Sequence, residues 1–142
     1  MTLDISLLPV IDEFVALVTL PDPMRLDATG ARPPIWIPDR LYAYPLRQRP
    51  QGWGPGGITE MGFTFRLAWC RAGQGEESGQ LRLRAVSDQL DEGVKTLVDV
   101  ARANQSGSTW EHLQVETIQY DAIVTFDSRA VFVDCTGYRL VS

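Results

Sequence analysis

The sequence predicts one α+β domain, in which a mixed or antiparallel β-sheet packs on one long helix and a short N-terminal helix. Residues 61–70 alternate in polarity with a period of two, which is typical of a strand. Between residues 80 and 104, apolar side chains recur at steps of three and four, which is typical of a helix. The chain has 142 residues and no internal repeat, so we expect a single domain over 1–142.

The first predicted element is a short helix over residues 9–18. Pro9 suits the first helical turn, where its missing N–H costs nothing. The apolar residues of this segment, Phe14 among them, form one broad face that needs a larger element to pack against. Pro21 and Pro23 end the helix, because proline cannot continue it.

An irregular Pro/Gly-rich excursion is predicted over about 21–58, which holds eight of the nine prolines. Residues 35–37 and 41–44 have strand character, but the prolines around them confine any strand to a sheet edge. Residues 51–57 contain four glycines and a proline, and this composition predicts a flexible loop.

Three side chains of the excursion are candidates for contact with another molecule. Arg47, Arg49 and Trp53 are of residue types that are enriched in the cores of protein interfaces. An interface and a plain mobile loop both fit them at this stage.

The next predicted elements are the strand over 61–70, a polar loop over 73–79 and the long helix over 80–104. The strand places large apolar side chains on one side and mostly small or polar ones on the other. Gly93 lies inside the helix, where it costs up to about 1 kcal/mol relative to alanine. It either marks a close contact or is simply tolerated.

Two further strands are predicted over 113–120 and 130–141, with a turn at 126–129. The last strand has apolar residues on both faces, so we expect it to lie between a helix and another layer. The predicted order of elements is therefore α, irregular β, β, long α, β, β.

Charge is distributed unevenly along this acidic chain, whose net charge is −5. Residues 1–24 carry −4, residues 25–84 carry +4 and residues 85–142 carry −5. The acidic total argues against a general nucleic-acid binder, because neutralising phosphates requires a basic surface. The alternation suits a subunit that meets other surfaces by electrostatic complementarity, and it also fits charges scattered over a solvated surface. No apolar run approaches the roughly 18 residues of a transmembrane helix.

No constellation for catalysis, metal binding or cofactor binding stands out, so we expect neither enzyme activity nor a cofactor. His112 is the only histidine, and Glu111 and Glu116 are its candidate partners in a general base. A histidine in a loop or at a strand end is the simpler interpretation. Cys70 and Cys135 fall in predicted strands, as small buried residues do.

Acidic residues cluster on one side of the predicted long helix. They are Asp88, Asp91 and Glu92. Because neither a histidine nor a calcium-loop pattern accompanies them, a solvated helix face is the simplest interpretation.

The order of elements, the helix over 80–104 and the C-terminal segment SRAVFVDCTGYRLV (128–141) carry a resemblance to a known family. The chain resembles the tail terminator proteins, or tail-tube completion proteins, of long-tailed bacteriophages. The resemblance covers residues 60–142 and, less fully, the first 20 residues.

This resemblance implies a structural virion protein that forms a homo-hexameric ring. The ring would cap the tail tube, stop its polymerisation and offer a docking face to the head completion or connector protein. The implied partners are further copies of the chain, the major tail tube protein and that connector protein, and no membrane is involved. The implied location is the head–tail joint of the virion tail, reached after assembly in the host cytoplasm.

DNA would pass through such a ring without specific binding. If Asp88, Asp91 and Glu92 faced the lumen, their charge would repel the phosphates and let DNA slide. Two alternatives remain open from sequence alone. One is another virion component, either a head–tail stopper or a minor tail protein. The other is a small α+β ligand-binding domain or enzyme with a site under the Gly/Pro-rich loop.

Overall fold

Strands make up most of the fold. In chain order the elements are α1 (Leu8–Ala16), β1 (Arg25–Leu26), β2 (Arg40–Gly54), β3 (Gly57–Ala72), α2 (Gly79–Ala103), β4 (Glu111–Thr125) and β5 (Ser128–Leu140). The structure is a computed structural model that describes residues 6–27, 30–72, 79–125 and 128–140.

All five strands belong to one mixed sheet with the order β1-β2-β3-β5-β4. β1 is parallel to β2, and every other neighbouring pair is antiparallel. Because β1 pairs only with Arg40 and Leu41, most of β2 forms one edge of the sheet and β4 forms the other. The prediction of a single small α+β domain is confirmed.

One face of the sheet, here called the helix-covered face, packs against both helices. The period-two pattern of β3 places Phe63, Phe65, Leu67 and Trp69 on this face, as the sequence predicts. The other buried members of this core are Leu7, Val10, Ile11, Phe14, Met24, Leu41, Ala43, Leu90, Leu97, Ala101, Trp110, Leu113, Val131, Val133 and Cys135.

The opposite face, here called the helix-free face, carries a second and smaller apolar cluster. Trp36 lies on it and contacts the rings of Tyr42, Tyr44 and Phe132, with ring centroids 5.2–6.4 Å apart. The irregular segment 30–39 therefore covers one end of this face. β5 accordingly contributes to apolar clusters on both of its faces, but segment 30–39 rather than the expected second layer covers part of the helix-free face.

The prediction of a sheet packed on one long helix and a short N-terminal helix is confirmed only in its coarser part, and its one long helix is not borne out. The domain is dominated by its strands, and α1 and α2 share the helix-covered face. The physical reason is that β2 to β5 run for 13 to 16 residues each, and together they hold more residues than α1 and α2. Pro9 is the second residue of α1, within the first turn where the sequence places it.

The prediction of a flexible loop over 51–57 is also wrong. β2 continues to Gly54, pairs there with Gly57 and turns through Pro55 and Gly56 into β3. Gly57 has a φ of +113°, which glycine adopts without strain. Pro50 is tolerated because β2 is an edge strand here. The N–H groups on the outer side of an edge strand have no partner strand, so a proline there costs no hydrogen bond of the sheet. The predicted irregular excursion thus ends at residue 39, and a long hairpin follows it.

The C-terminal strands are longer than predicted, because β4 begins at Glu111 and continues to Thr125. Of the predicted turn at 126–129, residues 126 and 127 lie outside the described part, and the other two belong to β5. Residues 73–78 of the predicted polar loop also lie outside the described residues.

Candidate functional site

The uncovered end of the helix-free face holds a polar concavity, here called the cradle, of about 140 Å³. All four long strands contribute to it. Small residues form its floor, among them Thr64 of β3 and its cross-strand partner Thr136 of β5. Thr136 Oγ1 donates to the carbonyl of Phe63 at 3.0 Å, which fixes this floor. The cradle is lined by Arg47, Arg49, Gln51, Gly62, Phe63, Thr64, Glu116, Thr136 and Gly137.

An ion pair spans the cradle. Arg47 Nη2 donates to Glu116 Oε1 at 2.7 Å and to Oε2 at 3.0 Å. The pair joins β2 to β4 across both intervening strands. A register irregularity lies beside each partner, between Pro45 and Arg47 and between Val115 and Thr117. Such bulges redirect side chains, which explains how residues from opposite edges of the sheet meet.

A second, better buried ion pair separates the cradle from the apolar cluster around Trp36. Arg66 and Asp134 are cross-strand neighbours joined by two hydrogen bonds, Nε to Oδ1 at 2.8 Å and Nη2 to Oδ2 at 3.0 Å. Thr117 Oγ1 also donates to Asp134 Oδ2, at 3.0 Å. The Arg66 guanidinium lies 4.6 Å from the centre of the Phe132 ring, so it also makes a cation–π contact.

Hydrogen bonding to Asp134 raises the pKa of Arg66 above its ordinary value. Burial raises the pKa of the Tyr44 hydroxyl, which also contacts Arg66. Both groups therefore keep their protons throughout the physiological pH range. Arg66 and Tyr44 therefore remain hydrogen-bond donors on the helix-free face.

The structure brings two of the three predicted interface residues together. Arg47 and Arg49 both line the cradle. Trp53 lies apart from them near the tip of the β2–β3 hairpin, where its side chain is 70% exposed. Among the described residues, the pairing of β3 with β5 begins at Glu60, opposite Leu140.

The three acids of α2 do not reach the cradle, since α2 packs on the opposite face of the sheet. Asp88, Asp91 and Glu92 are all exposed, as expected for a solvated helix face. The hydroxyl of Tyr120 on β4 is hydrogen-bonded to Asp91. Their orientation toward a ring lumen stays a prediction.

His112 is exposed at the start of β4, and its ring lies 5.4 Å from that of Tyr138. Its φ of +52° places it in the left-handed region. The two carboxylates that the sequence offers as partners are engaged elsewhere, because Glu111 accepts a hydrogen bond from Ser106 and Glu116 binds Arg47. This geometry favours a strand-end histidine over a general base.

Both cysteines are buried free thiols on strands, as predicted. Burial raises the pKa of Cys70 to about 12, and burial with the nearby Asp134 carboxylate raises that of Cys135 to about 12. The thiol is therefore the stable form in the folded protein, and it is a poor nucleophile.

We expect neither thiol to react with a disulfide reagent at pH 8 until the protein unfolds.

The free energy of unfolding should be independent of the thiols below pH 9 and should fall between pH 9 and about 12. In that window the unfolded chain releases thiol protons that the folded chain retains. Thiol titration with and without denaturant, and alkaline unfolding curves, measure both effects. A variant with Cys70→Ala and Cys135→Ala should lose this part of the alkaline slope.

The sequence did not predict Glu116 as a partner of Arg47, and it did not predict the Arg66–Asp134 pair. One signal was available for the second pair, since each strand has a charged residue between two apolar ones, Arg66 on β3 and Asp134 on β5. The first pair depends on two bulges and on the strand order, which no local pattern reveals.

Within the described ranges, no group of three or more metal-ligating side chains is close enough to hold an ion. No helix in the same ranges combines the length and the apolar character needed to cross a bilayer.

Comparison with known proteins leaves the family open. No protein-family model matches the chain, and no curated protein is significantly similar to it in sequence.

Proposed function

We propose that the chain is a structural virion protein of the tail terminator type. Copies of it would form a ring, expected to be a hexamer, that caps the phage tail tube and stops its polymerisation. The ring would then offer a docking face to the head completion or connector protein. This role requires unlike surfaces and a contact that closes on itself, but no catalytic group.

The observation that carries the proposal is the chemical difference between the two edges of the sheet. One edge is the β2–β3 hairpin, which carries Arg47 and Arg49 and ends near the exposed Trp53. The other edge is β4, beside the acidic surface of α2. A subunit with two unlike edges is suited to heterologous contacts, which generate rings when the rotation closes.

The two faces of the sheet also support the proposal. The helix-covered face is closed by α1 and α2, whereas the helix-free face keeps the cradle open to solvent. A ring built from such subunits has two different rims, and it can therefore contact the tube on one side and the connector on the other. The acids Asp88, Asp91 and Glu92 remain our candidates for a lumen that repels DNA.

Native mass across a range of protein concentrations tests the proposal first. We expect a species near six times 15.8 kDa. The ring should also bind the ends of preformed tail tubes and halt their growth. A discrete dimer that never grows would count against the proposal, and a monomer that also fails to bind tube ends would refute it.

Two alternatives keep specific support. A head–tail stopper or minor tail protein would use the same kinds of surface at another position in the particle, and only binding to isolated tail components separates these roles. A ligand-binding domain is favoured by a mostly apolar cavity of about 320 Å³ between segment 31–37 and Tyr42. That volume lies at the lower end of the range for small-molecule sites.

A further inference from the structure

We propose that the cradle binds one carboxylate group, the end of an aspartate or glutamate side chain of a partner protein. The inference goes beyond the proposed ring and does not require it. It is carried by the charge balance of the lining residues, by a buried hydroxyl group on the floor and by the size of the concavity.

The ion pairs within the chain leave one cationic group of the cradle without a counter-ion. The charged lining residues are Arg47, Arg49 and Glu116, two cations and one anion, so the lining has a net charge of +1. Glu116 neutralises Arg47, to which it is joined by two hydrogen bonds. Among the residues that the structure describes, Arg49 forms no ion pair, and its side chain is exposed. A monoanion beside Arg49 therefore brings the lining to neutrality.

Both charge and size favour a carboxylate on a side chain. A phosphate dianion would leave the lining at −1, with its second charge close to Glu116, whereas a carboxylate leaves the lining neutral. A guanidinium group also matches the planar carboxylate, which it binds through two parallel hydrogen bonds. The volume of about 140 Å³ lies below the roughly 300 Å³ at which small-molecule sites begin. The cradle therefore fits the end of one side chain better than a free metabolite.

A buried hydroxyl group on the floor has a proton to offer to this carboxylate. Thr64 is 2% exposed, and its Oγ1 donates to Thr136 Oγ1 over 3.4 Å, longer than the usual distance of about 2.7–2.8 Å. Thr136 gives its own proton to the carbonyl of Phe63. Because a hydroxyl proton rotates about the C–O bond, Thr64 can turn its weakly used proton toward an anion in the cradle.

The strand register places this hydroxyl and the unpaired guanidinium around one open position. Arg49 pairs with Gly62 across β2 and β3, and Thr64 is the next residue of β3 on the same face. A methyl group at Gly62 would lie 2.7 Å from Oε1 of Gln51, so only glycine lets Gln51 lie close to the sheet. The space between Arg49 and Thr64 thus stays open. Glu60 lies outside the lining, where it accepts a long hydrogen bond of 3.5 Å from Gln51.

Two capped tripeptides, acetyl-Gly-Glu-Gly-amide and acetyl-Gly-Gln-Gly-amide, test the site in an NMR titration of the deuterated, ¹⁵N-labelled full chain. We expect the Glu peptide to shift the amide signals of Gly62 and Thr64 and the Nε–H signal of Arg49, with a dissociation constant below about 10 mM. The Gln peptide has the same shape without the charge and should bind at least about tenfold more weakly. Inorganic phosphate should also bind more weakly than the Glu peptide.

Three variants separate the contributions to binding. Arg49→Gln should weaken binding of the Glu peptide by at least about tenfold, because it removes the charge-assisted hydrogen bonds. Arg49 is exposed, so this change leaves the core intact. Thr64→Val keeps the shape of the floor and should weaken binding about threefold, as expected for one hydrogen bond. Arg25→Gln is the matched control, because Arg25 is exposed on β1, beside Arg40 at the far end of β2, and should bind like wild type.

Glu116→Gln gives the sharpest result, because the expected change is a gain. It removes the carboxylate that occupies Arg47 and raises the net charge of the lining to +2. Binding of the Glu peptide should tighten by about threefold or more. A purely structural role of Glu116 predicts no gain.

Several outcomes would overturn the site. They are equal binding of the Glu and Gln peptides, no shift of the cradle signals up to about 50 mM peptide, unchanged binding by Arg49→Gln, and phosphate binding tighter than that of the Glu peptide. The titration requires no assembly, so its result is independent of the proposed function. A wild type that binds the Glu peptide but forms no ring keeps the site and counts against the ring, whereas a ring whose cradle ignores the peptide does the reverse.

Discussion

Gly93→Ala should lower the free energy of unfolding by about 1–2 kcal/mol, although the change improves helix propensity. A methyl group at Gly93 would lie 2.5 Å from Cδ1 and Cδ2 of Trp69, far inside van der Waals contact. The side chain of Trp69 is fully buried between its own strand, β3, and α2, so it cannot move aside into solvent. Overpacking of this kind costs about 1–3 kcal/mol, and the gain from replacing glycine in a helix is at most about 1 kcal/mol.

Chemical denaturation with urea measures this difference, and two further variants assign its cause. Gly56→Ala is the control, since a methyl group at Gly56 meets nothing within 4 Å. We expect it to change stability by less than about 0.5 kcal/mol. Trp69→Phe should cost less in the Gly93→Ala background than in wild type, because a smaller ring relieves the clash. If Gly93→Ala stabilised the protein instead, helix propensity would dominate and α2 would not approach Trp69 closely.

Gly93 also shows how far sequence can predict this fold. The sequence places a glycine inside a helix and leaves two interpretations open, a close contact or a tolerated cost. Only the position of Trp69 decides between them, and that position depends on which strand the helix crosses. Period-two patterning predicted the buried face of β3 because alternation is local and half of the strand's residues had to face a core.

Local composition failed where pairing between strands overrode it. Four glycines and a proline in residues 51–57 predicted a loop, yet the chain forms a hairpin because Trp53 pairs with Ile58 and Gly54 with Gly57. The ion pair that spans the cradle joins Arg47 to Glu116, 69 residues further along the chain. The order of the strands and the two bulges bring these residues together, and neither feature can be predicted from the residues next to Arg47 or Glu116 in sequence.

Asp134→Ala should lower the free energy of unfolding by about 2–3 kcal/mol. The Asp134 side chain is 10% exposed and that of Arg66 is 24% exposed, so water reaches the pair only in part. Removing the carboxylate leaves the Arg66 guanidinium without its two charge-assisted hydrogen bonds and leaves the Thr117 hydroxyl without its acceptor. Breaking a fully buried pair costs about 3–5 kcal/mol, and the remaining exposure of Arg66 reduces this figure.

Glu116→Ala provides the matched control, because it breaks the other arginine–carboxylate pair on the same face. Arg47 and Glu116 are 56% and 36% exposed, so water can replace their contact, and we expect a cost below about 1 kcal/mol. Urea denaturation of both variants at moderate salt makes the comparison. Equal costs would mean that burial does not distinguish the two pairs.

A double variant, Arg66→Met with Asp134→Leu, should recover most of the stability lost in Asp134→Ala, because it removes both charges rather than leaving one unpaired.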